Sequence, residues 1–257
     1  MKERFKDGSA GDANYGDIGK SYSSYRQPEP RIAKAISEAL GSAKKVLNVG
    51  AGAGSYEPLD REVTAVEPSE SMRQQRPNNL SEAIDAVAED LPFPDKSFDA
   101  SMTTFSVHQW SNLDAGLKEM RRVTKGPIVI LSCDPHLVQK FWLNDYAPGV
   151  LAAEARRYPD FNRIASVFGA ATRAVPVMIP FDCCDGFNEA YYGRPEKFLE
   201  DQARLSCSAW SFVDEQTSSS YVEHLRTDLK NGTWDDKHGH LRSVPEFDGS
   251  LRLFISP

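Results

Sequence analysis

The sequence predicts an α/β chain built on a doubly wound, mostly parallel sheet, with a helical insertion near its C-terminal end. Two observations carry this. From Arg31 to Ser132 short apolar runs alternate with amphipathic helical stretches, the repeated β-α-β order whose right-handed crossovers place helices on both faces of a parallel sheet. Beyond Pro135 the alternation loosens, and the long stretch Asp182–Phe247 precedes a closing strand. A chain of 257 residues with 40% apolar and 26% charged positions has enough apolar mass for one enlarged domain.

Element by element, Met1 to Asn14 is polar and Gly-rich and reads as a flexible tail, with order expected from Tyr15. Ile32, Ala35, Ile36, Ala39 and Leu40 fall at helical spacing over Arg31–Leu40, and Gly41 stops the helix. Lys44–Val49 is an apolar run ending in Gly50, the mark of a strand buried on both faces that opens into a turn. A second strand is expected over Arg61–Val66, a helix over Ser69–Gln75, a third strand over Ala83–Ala88 and a fourth over Phe98–Thr104. A helix over Leu113–Val123 then leads to a fifth strand over Pro127–Ser132. Helices follow around Leu137–Asn144 and Val150–Phe168, then a β-rich Ala174–Pro180 and a last strand Leu251–Ile255.

Charge and cysteine usage exclude several classes. The net charge of -7 repels phosphate backbones, so nucleic acid is not an expected partner. Apolar runs such as Ile128–Leu131 fall far short of the roughly 20 residues of a membrane helix. The start Met1-Lys2-Glu3-Arg4-Phe5 lacks a signal-peptide core, and a cytoplasmic protein without membrane partners is expected. Cys133, Cys183, Cys184 and Cys207 have no CxxC spacing and are expected as reduced thiols. No metal is expected, and His238-Gly239-His240 reads as a solvated turn. Oligomeric state is not legible.

The most informative stretch is Val46-Leu47-Asn48-Val49-Gly50-Ala51-Gly52-Ala53-Gly54. Glycines directly after a strand let a ligand lie against the backbone, although a tight ligand-free turn would use them too. The third glycine is misplaced for the G-x-G-x-x-G of a dinucleotide loop, which argues against a nicotinamide-dependent oxidoreductase. Glu67 ends the second strand before Pro68 and Ser69, where a carboxylate accepts both hydroxyls of a ribose. With the stretch Ala88-Glu89-Asp90-Leu91-Pro92-Phe93-Pro94-Asp95-Lys96-Ser97-Phe98-Asp99 and Leu117-Lys118-Glu119-Met120-Arg121-Arg122-Val123, these pieces are ordered and specific. From about Tyr15 to Pro135 the chain resembles the class I S-adenosylmethionine-dependent methyltransferases, with their Rossmann-like sheet, and within them the type-11 family similar to quinone-biosynthesis C-methyltransferases.

The resemblance implies an S-adenosylmethionine-binding core over residues 15–135. The remainder, 136–257, would complete the sheet and carry an acceptor-binding lid at about 182–247. It also implies a site: Gly50, Ala51 and Gly52 beside the cofactor, Glu67 and Pro68 at its ribose, Ala88 with Glu89 or Asp90 at adenine, and Phe105 at the crevice edge. Two departures stand out. Asn48 replaces the family's usual carboxylate, leaving the methionyl ammonium more to backbone carbonyls, and Val87 replaces an Asp that often takes the adenine amino group. In similar enzymes the N-terminal segment folds over the cofactor. Tyr15, Tyr22 and Arg26 are therefore candidates there, although the same residues would serve as an aromatic cap.

Methyl transfer from a sulfonium needs alignment and, for some acceptors, removal of a proton. His108 in Thr104-Phe105-Ser106-Val107-His108-Gln109-Trp110 is the candidate base, its alternative being a hydrogen-bonded structural histidine. For the acceptor, expected to be a small apolar or aromatic molecule methylated on O, N or C, the candidates are His108, Trp110, Trp142, Tyr146, Phe187 and Tyr191. Core packing is the competing role for each aromatic. A non-catalytic cofactor-binding module is the alternative to an enzyme.

Overall fold

The computed structural model describes residues 25–257. Its first half lays down β1 (Lys45–Val49), β2 (Glu62–Val66), β3 (Ala83–Ile84), β4 (Ala100–Thr104) and β5 (Ile128–Cys133), and the chain later returns with β6 (Arg173–Pro176) and β9 (Leu251–Ser256). These seven form one sheet in the order β3-β2-β1-β4-β5-β9-β6. β1 to β5 run parallel, and β9 is antiparallel to both of its neighbours. All six residues of β5 are buried, as a central strand covered on both faces requires.

Side-chain alternation divides the core. Val46, Val129 and Leu131 pack on one face with Ile32 and Ile36 of α1 (Pro30–Ala39). Leu47, Ile128 and Ile130 pack on the other with Leu117 and Met120 of α3 (Leu113–Val123). Each helix begins on a side-chain cap: Glu29 accepts from the Arg31 N–H at 3.2 Å and Asn112 from the Ala115 N–H at 3.2 Å. Between them, the short α2 (Glu70–Arg73) follows β2, capped by Ser69.

Three sequence expectations change in extent. The third strand stops at Ile84 because β2 offers partners only to Val66, after which residues 85–88 turn toward the strand ends. The helix expected over Val150–Phe168 is two, α5 (Pro148–Arg157) and α6 (Phe161–Phe168). Pro159 disfavours the helical conformation at Tyr158, which is extended, and Asp160 caps the new start by accepting from the Asn162 N–H at 2.7 Å. Around Leu137–Asn144 there is one turn of α4 (Pro135–Val138) and a 3-10 turn over Trp142–Asp145.

Between β6 and β9 lies the insertion, closed at its base by β7 (Ile179–Pro180) pairing antiparallel with β8 (Glu246–Phe247). It contains α7 (Asp201–Leu205), α8 (Glu215–Asn231) and α9 (Thr233–His238). Its aromatic centre, with Phe198 and Trp234, is continuous with the α1 face of the sheet through Trp142. Cys133, Cys183, Cys184 and Cys207 are unbridged. Among the described residues no helix is long and apolar enough to cross a membrane.

Candidate functional site

At the carboxyl ends of the parallel strands a cleft opens between the glycine loop, the end of β2 and the segment after β4, the place where open α/β sheets bind ligands. The loop after β1 reaches it only because Gly50 and Gly52 adopt left-handed conformations, at φ 66° and 52°. A β-carbon on Gly50 would stand 1.9 Å from Ser106 Oγ. The loop is fastened to the end of β2: Ala51 donates to the Val66 carbonyl at 2.9 Å, and Gly52 donates to Glu67 Oε2 at 2.7 Å.

Glu67 is the hinge of this arrangement. Its second oxygen accepts from the Ser69 N–H at 2.9 Å, so one buried carboxylate holds the glycine loop and the start of α2 together. Burial pushes its carboxyl up, while the two backbone donors work against that shift. Each oxygen keeps acceptor capacity beyond its backbone bond.

Beneath the loop the structure answers the departure at Asn48. The Asn48 amide donates to Glu57 Oε1 at 3.0 Å, and Glu57 in turn receives both terminal nitrogens of Arg76, at 3.0 and 2.9 Å. The carboxylate under the glycine turn is therefore that of Glu57. Among the described residues Asn48 Oδ1 has no hydrogen-bond partner.

The opposite rim is tied by charge. Arg26 Nε donates to Asp185 Oδ1 at 2.5 Å, and Tyr56 donates to Asp185 Oδ2 at 2.7 Å. The guanidinium also lies over the Phe105 ring at 4.9 Å. A bridge between Arg26 and Asp185 sets the N-terminal segment against the insertion. Burial and the Asp185 charge push the Tyr56 hydroxyl well up, which keeps it a donor. Tyr56 and Phe105 have φ of 66° and 49°, so backbone strain is concentrated in the cleft wall.

Of the expected cofactor residues, Arg26, Gly50, Ala51, Gly52, Glu67, Pro68, Ala88, Glu89 and Phe105 line the cleft. Asp90 is exposed outside it, and Glu89 accepts from Ser111 Oγ and the Asn112 N–H at 2.9 and 2.8 Å. Tyr15 and Tyr22 lie outside the described residues. Trp110 lines the same cleft, its Nε1 donating to Ser106 Oγ at 3.0 Å. His108 sits behind Phe105, edge-on to Tyr158, with Phe187 in the same recess. Burial, with the Arg157 and Arg26 charges, pushes the imidazole well down, so it is neutral and disfavours the imidazolium that a base becomes.

Of the acceptor candidates, Trp142 and Tyr146 pack from the segment before α5 against the insertion, and Tyr191 packs within it. Trp142 donates to the Tyr192 carbonyl at 2.8 Å, Tyr146 to Asp228 at 3.0 Å, and Tyr191 meets Phe198 edge-on. These rings fill the apolar core that the insertion shares with the segment before α5. Sequence reasoning missed Tyr56, Ser106, Gln109 and Asp185 in the cleft wall. The segment holding Ser106 and Gln109 was singled out, whereas nothing local marks Tyr56 or Asp185, which stand 129 residues apart.

Comparisons with known proteins decide the family. A methyltransferase-domain family model, type 11, matches residues 47–127. The demethylmenaquinone methyltransferase of Porphyromonas gingivalis is 31% identical over 169 residues, 57% of this chain and 69% of that protein. The chain belongs to the type-11 S-adenosylmethionine-dependent methyltransferases. The malonyl-[acyl-carrier protein] O-methyltransferase of Erwinia pyrifoliae is 33% identical over 121 residues, 44% of this chain and 46% of that protein, so the chain spans about half its length. A crystal structure from Anabaena variabilis, described as a candidate methyltransferase from an antibiotic biosynthesis pathway, superposes with a TM-score of 0.84. It is 32% identical, and the match covers 91% of this chain and 100% of that one. The [4+2]-cyclase SpnF shares the fold alone, at a TM-score of 0.53 and 14% identity over 95% of this chain and 93% of that one. S-adenosylmethionine is the family's cofactor, and the glycine loop with Glu67 at the end of β2 fits it: bare backbone on one side, a carboxylate for vicinal hydroxyls on the other.

Proposed function

We propose that this chain methylates a small organic molecule with S-adenosylmethionine held in the cleft between Gly50 and Glu67. The cofactor, when bound, supplies an electrophilic methyl group on a sulfonium. Glu67 takes the ribose hydroxyls, the Gly50–Gly52 backbone lies along the methionyl part, and Val87, Ala88 and Glu89 flank the adenine. Arg26 and Phe105 close the far wall, and the insertion excludes water from the strand ends. The observation that carries this reading is the double use of Glu67, whose oxygens fix the loop and α2 while facing the same cleft.

One relative is named for demethylmenaquinone, a small molecule, and another for a malonyl group borne on acyl-carrier protein; the first supports a free small acceptor. Incubating the full chain with methyl-labelled S-adenosylmethionine and a panel of small phenols, amines, alcohols and carboxylic acids tests the proposal. Label transfer with production of S-adenosylhomocysteine is expected for at least one acceptor. Tight cofactor binding with no transfer across the panel would favour a binding module instead.

A further inference from the structure

The cleft lies deep: each described residue of its wall is buried or half-buried, and none is fully exposed. A ligand seated there needs a way in and out. One part of the wall also faces a wide surface groove, because Arg26, Ala53, Ser55 and Tyr56 line both spaces. Ala33 and Lys34 of α1 form one bank of the groove, and the loop Glu57–Asp60 forms the other, with Leu59 76% exposed. Those residues do not line the cleft. The partition between the two spaces is therefore thin, and its two large side chains are Arg26 and Tyr56.

Both side chains end on the same carboxylate. Arg26 Nε donates to Asp185 Oδ1 at 2.5 Å, and the Tyr56 hydroxyl donates to Asp185 Oδ2 at 2.7 Å. Asp185 comes from the insertion, whose neighbouring residues clasp the N-terminal side of α1: the Gly186 N–H donates to the Tyr25 carbonyl at 2.8 Å, and the Cys184 N–H to Glu29 Oε2 at 3.2 Å. The guanidinium keeps 10% of its surface and the carboxylate 2%, so water does little to screen the pair. Tyr56 is held at φ 66°, a strained conformation that its contacts must maintain. Removing one carboxylate would release the polar ends of both partition side chains together.

We propose that Arg26 and Tyr56 form a gate between groove and cleft, that Asp185 latches it, and that the methyl donor enters and its demethylated product leaves along the groove. This rests on the cleft being the donor's site. It gives the insertion a second task, since the carboxylate that closes the cleft belongs to the insertion and must let go of both side chains at each exchange.

A gate has a kinetic signature. Weakening its closed state raises association and dissociation rates together, so affinity moves less than either rate, whereas loss of a ligand contact acts mainly on dissociation. The test follows S-adenosylhomocysteine binding to the full chain by stopped-flow tryptophan fluorescence, Trp110 being in the cleft wall. Asp185→Asn should raise both rates roughly tenfold, as expected for the loss of charge-assisted hydrogen bonds. Ala33→Trp, which narrows the groove outside the cleft, should slow both rates severalfold and leave the equilibrium affinity at its wild-type value, which also shows that it folds. Lys34→Trp, at a position 77% exposed, repeats that test without disturbing packing. Wild-type rates in both groove variants, or Asp185→Asn dissociating faster while associating no faster, would overturn the inference. Failure of the wild type to bind S-adenosylhomocysteine would instead overturn the functional reading of the cleft.

Discussion

Gly50→Ala separates the two demands that the glycine loop places on its first residue. A left-handed conformation costs a non-glycine residue about 1–2 kcal/mol, and Gly50 sits at φ 66°. The new β-carbon would also lie 1.9 Å from Ser106 Oγ and 2.8 Å from Ser106 Cβ. Rotation of the hydroxyl relieves the first contact and not the second, so the backbone after β4 must shift, an overpacking cost of about 1–3 kcal/mol. The sum is roughly 2–5 kcal/mol, or a fall in Tm of roughly 4–20 °C for a domain of this size. Because Ser106 also accepts from Trp110 Nε1 at 3.0 Å and both residues line the cleft, cofactor affinity should fall with stability. Gly41→Ala is the matched control: φ is 61° and nothing lies within 4 Å of its new β-carbon, so only the conformational part, about 1–2 kcal/mol, applies. Thermal unfolding followed by circular dichroism gives the stability difference, and S-adenosylhomocysteine titration gives the affinity. Ser106→Gly added to Gly50→Ala should recover the steric part. If Gly50→Ala proves no worse than Gly41→Ala in either assay, the close approach of the loop to the β4 segment is wrong.

Other consequences are equally specific. Arg76→Met leaves Glu57 buried without its partner, both side chains being nearly inaccessible at 4% and 1%, and should cost about 3–5 kcal/mol in urea unfolding; a loss below about 1 kcal/mol would remove this pair from the account. Burial pushes Glu189 up to about 7 from 4.5, against opposing hydrogen bonds from Ser250. A raised carboxyl contributes stability that is complete below its unfolded value and lost as pH rises through its folded one, so Glu189→Gln should gain on wild type between pH 5 and 8, by on the order of 2 kcal/mol. A constant difference across that range in pH-dependent unfolding would contradict the shift. Tyr56→Phe strips Asp185 of a donor and the Glu29 N–H of an acceptor, and should cost about 1–3 kcal/mol by thermal unfolding, whereas an unchanged Tm would mean that the rim does not depend on this hydroxyl.

What the sequence made legible is what local physics determines. Leu113–Val123 appears as one amphipathic helix because its apolar residues repeat at helical spacing and Asn112 caps it. The glycine turn and Glu67 were readable because a buried strand, missing β-carbons and a strand-terminal carboxylate all fall between Lys45 and Glu67. The break at Pro159 carried a local signal that the apolar periodicity on both sides outweighed. Other features depend on folding and have no local mark: Glu57 replaces the carboxylate missing at Asn48 only because the loop brings it back beneath β1, and Asp185 reaches Tyr56 only through the insertion. Aromatic clustering in the insertion was visible as composition. It could not say that Tyr191 packs inward against Phe198, with Trp142 and Tyr146 of the preceding segment joining the same core, while Phe187 lies against Phe105.

The central claim is that the cleft between the glycine loop and Glu67 holds S-adenosylmethionine. Calorimetric titration of the chain with S-adenosylmethionine and S-adenosylhomocysteine, beside Glu67→Ala, tests it most directly. The account predicts micromolar binding that weakens roughly tenfold or more, about 1.4 kcal/mol, in the variant. Binding of neither ligand, or equal binding by Glu67→Ala under conditions where it remains folded, would contradict it.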